Sequence, residues 1–184
     1  MSMTISFSRG WRVAAMAISL SLLGCANGPV PADYAQAQPK LDLRSYFNGE
    51  LTAHGLFTDR SGRVVKRFTV KLVGRWQGAE GVLEEDFLYS DGGRQRRVWH
   101  LTDLGGGRWR GRADDVVGDA QGESAGNALN WHYTLRLPVD DKVYEVQFND
   151  WMYLMDDRTM LNKAVMSKFG FTLGEVTLSF TKTR

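Results

Sequence analysis

Three charged residues of this chain fall among side chains that belong in a core. In a strand, residues two apart share a face. Read that way, Leu83, Glu85, Phe87 and Tyr89 lie together, which makes Glu85 an acid among aromatics. Gln95, Arg97, Trp99 and Leu101 put Arg97 in similar company. Tyr144, Val146, Phe148, Asp150, Met152 and Leu154 turn Asp150 inward. The Asp91-Gly92-Gly93 turn makes the first two segments hairpin neighbours, so Glu85 and Arg97 can meet. A buried unpaired charge is costly, whereas a hydrogen-bonded pair is tolerated. Two chemistries fit these residues. One is an internal ion-pair network that fixes strand register. The other is a set of cavity groups that recognises a polar head, with Arg97 suited to a carboxylate or a phosphate.

Aromatic residues extend the same reading. Trp131 and Tyr133 share a face with Leu135 and Leu137, and with Trp99 they are candidates for the wall of a ligand cavity. Trp151 and Tyr153 fall opposite Phe148 and Met152, so that strand is apolar on both faces near its end. They are candidates for a surface contact: covering a barrel mouth, meeting a partner or the membrane, or packing under the N-terminal segment. Evidence for catalysis is thin. His54, His100 and His132 lie in separate strands, without metal-ligand spacing and opposite the apolar faces. No Gly-x-Ser-x-Gly elbow is present, and Gly105-Gly106-Gly107 sits in a hairpin rather than between a strand and a helix. Glu85 and Asp150 could form a catalytic carboxylate pair, but Arg97 beside them is expected to keep both ionised. The expectation is therefore a protein that is not an enzyme, with no catalytic residue, no metal and no cofactor.

The elements that position these residues read as strands. From Leu41 onward the apolar pattern has period two, with turn residues every 10 to 15 positions. Nine candidate strands cover residues 46–57, 64–76, 81–89, 95–102, 108–118, 128–137, 142–155, 160–167 and 171–182, with 119–127 a polar loop. Residues 160–168 could instead form a short helix. Successive strands joined by short turns describe an antiparallel meander, and closing it removes two exposed edges. The expected fold is all-β: a single antiparallel up-and-down barrel of about eight to ten strands.

The first residues read as an address. Arg9 and Arg12 precede an apolar stretch at 13–23, and Leu22-Leu23-Gly24-Cys25 resembles the bacterial lipobox. Cleavage is expected between Gly24 and Cys25, with acyl chains on Cys25 anchoring the protein to a membrane. Ala26, rather than Asp, follows the Cys, which points to the periplasmic face of the outer membrane. Residues 1–24 are then a signal peptide, 25–40 a lipidated flexible tether holding three of the four prolines, and 41–184 the barrel domain. Losing Arg9 and Arg12 leaves 21 basic and 21 acidic residues, a balance that argues against a nucleic-acid partner. One Cys excludes a disulfide framework, and a mean hydropathy of −0.32 excludes a polytopic membrane protein.

Several segments together carry a family resemblance. The run from Leu83 to Gly92, then Arg97-Val98-Trp99, Asp150-Trp151-Met152-Tyr153, Met166-Ser167-Lys168-Phe169-Gly170 and Gly174-Glu175-Val176-Thr177-Leu178 occur in order. Over about residues 40–182 the chain resembles bacterial lipoproteins of the domain-of-unknown-function family 3833. The resemblance implies a lipocalin-like (calycin) architecture and brings no catalytic residues with it. The expected function is binding of a lipid or other small hydrophobic molecule by a membrane-anchored periplasmic barrel. Two alternatives stand beside it: a structural or interaction protein with a filled barrel, and a carboxylate-dependent enzyme acting on lipids or glycans. No protein partner is indicated.

Overall fold

The computed structural model describes residues 28–139 and 141–183. The expected signal peptide, its cleavage after Gly24 and the acylation of Cys25 fall on residues outside those described. Ten strands follow in chain order: β1 (Gly49–Asp59), β2 (Val64–Gln77), β3 (Glu80–Tyr89), β4 (Arg94–Gly105), β5 (Arg108–Arg112), β6 (Ala120–Ala125), β7 (Ala128–Val139), β8 (Lys142–Leu154), β9 (Thr159–Lys168) and β10 (Phe171–Lys182). Each pairs antiparallel with the next, and β10 returns to β1 from Leu51↔Lys182 to Asp59↔Gly174, closing the barrel. Closure gives every strand a neighbour on both sides, which is what the meander pattern required.

The tenth strand lies where the sequence reads as a loop. Residues 120–125 hold no large apolar side chain, yet they pair with both β5 and β7. The apolar volume comes from β7 instead: the Trp131 ring lies over Gly122, where a Cβ would come within 3.0 Å of it. Ala120 is fully buried, and the Ser124 hydroxyl accepts the Trp109 indole N–H at 3.0 Å. Strand β5 is correspondingly shorter than the 108–118 expected, and residues 113–118 form a turn pinned by a single bridge from Val116 to Leu135. Residues 160–167 are strand, not helix.

A short helix, α1 (Leu43–Tyr46), seals one end of the barrel. Asp42 caps it by accepting the Arg44 N–H at 3.1 Å. Leu43, Tyr46 and Phe47 are buried beneath the strands, and the Tyr46 hydroxyl reaches the carbonyls of Arg158 (3.0 Å) and Phe180 (3.3 Å). Gly74 permits this close approach, since a Cβ there would stand 1.6 Å from the Phe47 carbonyl oxygen. Leu43, Leu51, Leu72, Leu129 and Met160 are almost fully buried. Each such side chain contributes about 1.5–3 kcal/mol of apolar burial.

Within residues 25–40, which the composition reads as a flexible tether, the segment around Pro31–Tyr34 packs against the barrel wall. Pro31–Tyr34 forms a 3-10 turn, and the Tyr34 ring meets Trp151 and Tyr153 with centroids 5.6 and 5.3 Å away. Leu41 N–H donates to the Gly126 carbonyl at 2.7 Å. The two-sided apolar end of β8 supplies the reason: its outer face is met by this segment. Trp151 and Tyr153 are thus covered from within the chain, and of the roles open to them the structure places them under the N-terminal segment. Elsewhere the outer face carries exposed ion pairs, such as Arg75–Glu84 (3.2 Å), Arg96–Glu84 (3.0 Å) and Arg96–Asp86 (3.3 Å). Pairs of this kind add little stability each but mark a surface made for water.

Candidate functional site

Above the floor formed by α1, the barrel encloses a cavity of about 790 Å³. That volume lies within the range of small-molecule sites and sets aside a filled barrel. The cavity opens at the end away from α1, where Thr58, Val65, Val139 and Leu173 line it. Around this mouth, which Asp59, Lys66 and Arg136 also line, the apolar side chains of Val65, Val143, Phe169 and Phe171 are 57%, 64%, 85% and 75% exposed. Deeper in, Trp99 stacks near Trp131 (6.5 Å between centroids) and meets Tyr133 edge-on at 5.6 Å, while Tyr133 stacks on Phe148 at 5.0 Å.

Strand alternation delivers all three charged residues inward. Glu85 and Arg97 are cross-strand partners on β3 and β4, and the Arg97 Nη1 stands 3.8 Å from the Glu85 carboxylate. Arg97 makes its short contacts elsewhere. Its Nε and Nη2 donate to Asp115 at 2.9 and 2.8 Å in a two-pronged grip. Gln95 Nε2 also reaches Asp115 at 3.4 Å, and Tyr89 donates to Gln95 at 2.6 Å. Arg97 further lies over the Phe87 ring, 5.4 Å from its centroid. Across the barrel, Asp150 accepts from Tyr133 Oη at 3.3 Å and from the Asn162 amide. Asp115 and Asn162 are therefore site residues that the sequence reading missed. Asn162 left a signal, since it keeps step with Met160, Ala164 and Met166 at two-residue intervals, whereas Asp115 lies in the turn beyond β5 and left none.

The electrostatics overturn one expectation. Burial pushes Glu85 up to about 7, and the nearby Arg97 and Trp99 offset this only in part. Burial likewise raises Asp150 to about 6, against the donations from Asn162 and Tyr133. Burial outweighs Arg97 at Glu85, and the groups that act on Asp150 are Asn162 and Tyr133 rather than Arg97. Burial pulls the Arg97 pKa down, but Glu85 and Asp115 outweigh it and keep the guanidinium charged. Tyr133 is raised well above the usual phenol range by burial and by Asp150. The walls thus offer an apolar enclosure, buried carboxyl groups raised toward neutrality and a cation already engaged. His54, His100 and His132 all project outward and are exposed.

Fold and site together define a class: a calycin-type, lipocalin-like barrel, sealed at one end and hollow toward the other. The S-type phycobiliprotein lyase CPES from Guillardia theta has this fold, with a TM-score of 0.60 at 4% identity over 85% of this chain and 99% of that one. Rv2717c from M. tuberculosis also matches, with a TM-score of 0.57 at 12% identity over 78% of this chain and 99% of that one. At these identities the likeness is one of fold. In sequence, the chain belongs to the DUF3833 family, proteins of unknown function, whose model matches residues 19–182. Among curated proteins none matches it.

Proposed function

We propose that this protein is a lipid-anchored binding module that holds a small hydrophobic molecule in its barrel. The observation that carries the reading is the cavity of about 790 Å³, floored by α1 and walled largely by aromatic and aliphatic side chains. Exposed apolar side chains around the open end give such a molecule a path inward. The charge, apolar core and Cys25 of the first 25 residues support attachment at the periplasmic face of the outer membrane. Native mass spectrometry of the protein carrying Cys25→Ser, exported to a bacterial periplasm and purified without detergent, tests the reading. A discrete additional mass, or uptake when lipids are supplied, is expected. A clean apo mass with no uptake removes it.

A second reading, chemistry on the bound molecule, is favoured by one observation. Glu85 and Asp150 are buried carboxyls whose raised pKa values let them hand over a proton near neutral pH. One structural neighbour is moreover a phycobiliprotein lyase. In that case an extracted ligand returned to the protein would change in mass, and Glu85→Gln would stop the change.

A further inference from the structure

The charged groups of the cavity are unevenly matched. Its interior wall holds three carboxylates, Glu85, Asp115 and Asp150, against one guanidinium, Arg97. The other charges that line the cavity lie toward the mouth and have partners of their own. Asp59 bonds Arg63 (3.2 Å), Lys66 bonds Asp91 (2.8 Å), and Arg136 reaches the Asp114 carbonyl (3.5 Å). An anionic head at the interior wall would have to displace Asp115 from Arg97 and leave that carboxylate without its cation. It would also face Glu85 and Asp150 at close range in a medium of low dielectric.

Resting on the reading of this cavity as a ligand site, we propose that it selects apolar molecules carrying a protonated amine over those ending in carboxylate or phosphate. An ammonium has three donors and no acceptor, the complement of a wall rich in carboxylate oxygens. Glu85 is 8% exposed and lies 3.8 Å from its cation, beyond hydrogen-bond length, so it retains acceptor capacity toward the cavity. Asp150, 7% exposed, has only the neutral donors Tyr133 and Asn162. Trp99, Trp131, Tyr133 and Phe148 surround this region with π-faces, which attract a desolvated cation and give an anion nothing comparable. The apolar remainder of the ligand then lies along the aliphatic wall toward the mouth.

Three probes with one twelve-carbon chain separate the possibilities: dodecylamine, dodecanol and dodecanoate. Each competes at pH 7.5 with an apolar dye, N-phenyl-1-naphthylamine, whose fluorescence rises in the cavity. The amine is expected to displace the dye at about tenfold lower concentration than the carboxylate, with the alcohol between them. The double variant Glu85→Gln, Asp150→Asn is expected to shrink that ratio below about threefold. The alcohol reports whether the variant still folds and binds. Equal or tighter binding of dodecanoate overturns the amine preference while leaving the cavity a hydrophobic site. Failure of all three probes and the dye to bind overturns the ligand site itself.

Discussion

Two walls of one cavity solve the problem of a buried carboxylate in different ways. On the side built by β3, β4 and the turn after β5, a guanidinium grips Asp115 and stands near Glu85. On the side built by β7, β8 and β9, a phenol and an amide hold Asp150 without any cation. The first solution locks one pair, Arg97 with Asp115, and leaves Glu85 beside it raised to about 7 by burial. The second tolerates neutralisation, because a protonated Asp150 still accepts one hydrogen bond and can donate another. The difference shows that inward-pointing charge in a barrel is not one phenomenon. One cluster ties strands together, and the other is the more adaptable surface for a guest.

The sharpest way to break this contrast is to remove the guanidinium. Arg97→Met leaves the buried Glu85 and the half-buried Asp115 without a cation, and a loss of about 3 kcal/mol in urea unfolding at pH 7.5 is expected. A loss below about 1 kcal/mol would mean that the first wall is as tolerant as the second.

Next comes pH. Glu85 rises from 4.5 to about 7 and Asp150 from 3.8 to about 6 on folding. A raised carboxyl binds its proton more tightly in the native state, so its contribution is full below the unfolded value and is lost as pH climbs through the folded one. Unfolding free energy should therefore fall by about 4 kcal/mol between pH 5 and pH 8. Asp150→Asn should flatten the lower part of that decline and Glu85→Gln the upper part. A stability that rises steadily across this interval would contradict the assignment of both groups.

The smallest effect concerns the neutral wall alone. Tyr133→Phe deletes one donor to Asp150 and should cost about 1 kcal/mol. It should also move the Asp150 carboxyl still higher, as followed by its carbon-13 NMR titration. An unmoved titration would show that Asn162 holds Asp150 unaided.

Much of this geometry was legible before any coordinates. Period-two alternation turned Glu85, Arg97 and Asp150 inward because each sits mid-strand between large apolar neighbours, where register leaves no freedom. Asp115 escaped because the strand ends at Arg112, and the turn that folds it over Arg97 carries no periodicity of its own. Strand β6 escaped because its share of the core is supplied by the rings of Trp109 and Trp131, so its own residues look like a loop. The docked N-terminal segment was obscured by proline-rich composition, although the doubly apolar end of β8 already called for something to cover it. The raised carboxyls were misjudged because sequence proximity of Arg97 says nothing about the burial that outweighs it at Glu85.

The segment that lies across Trp151 and Tyr153 also has a mechanical meaning. Tension applied toward the N-terminus is borne first by the Tyr34 clasp, and then by Leu43, Tyr46 and Phe47 in the floor. These contacts stand in series, so the clasp acts as a fuse. Once it slips, the load passes to the floor at the base of the barrel, which precedes β1 along the chain.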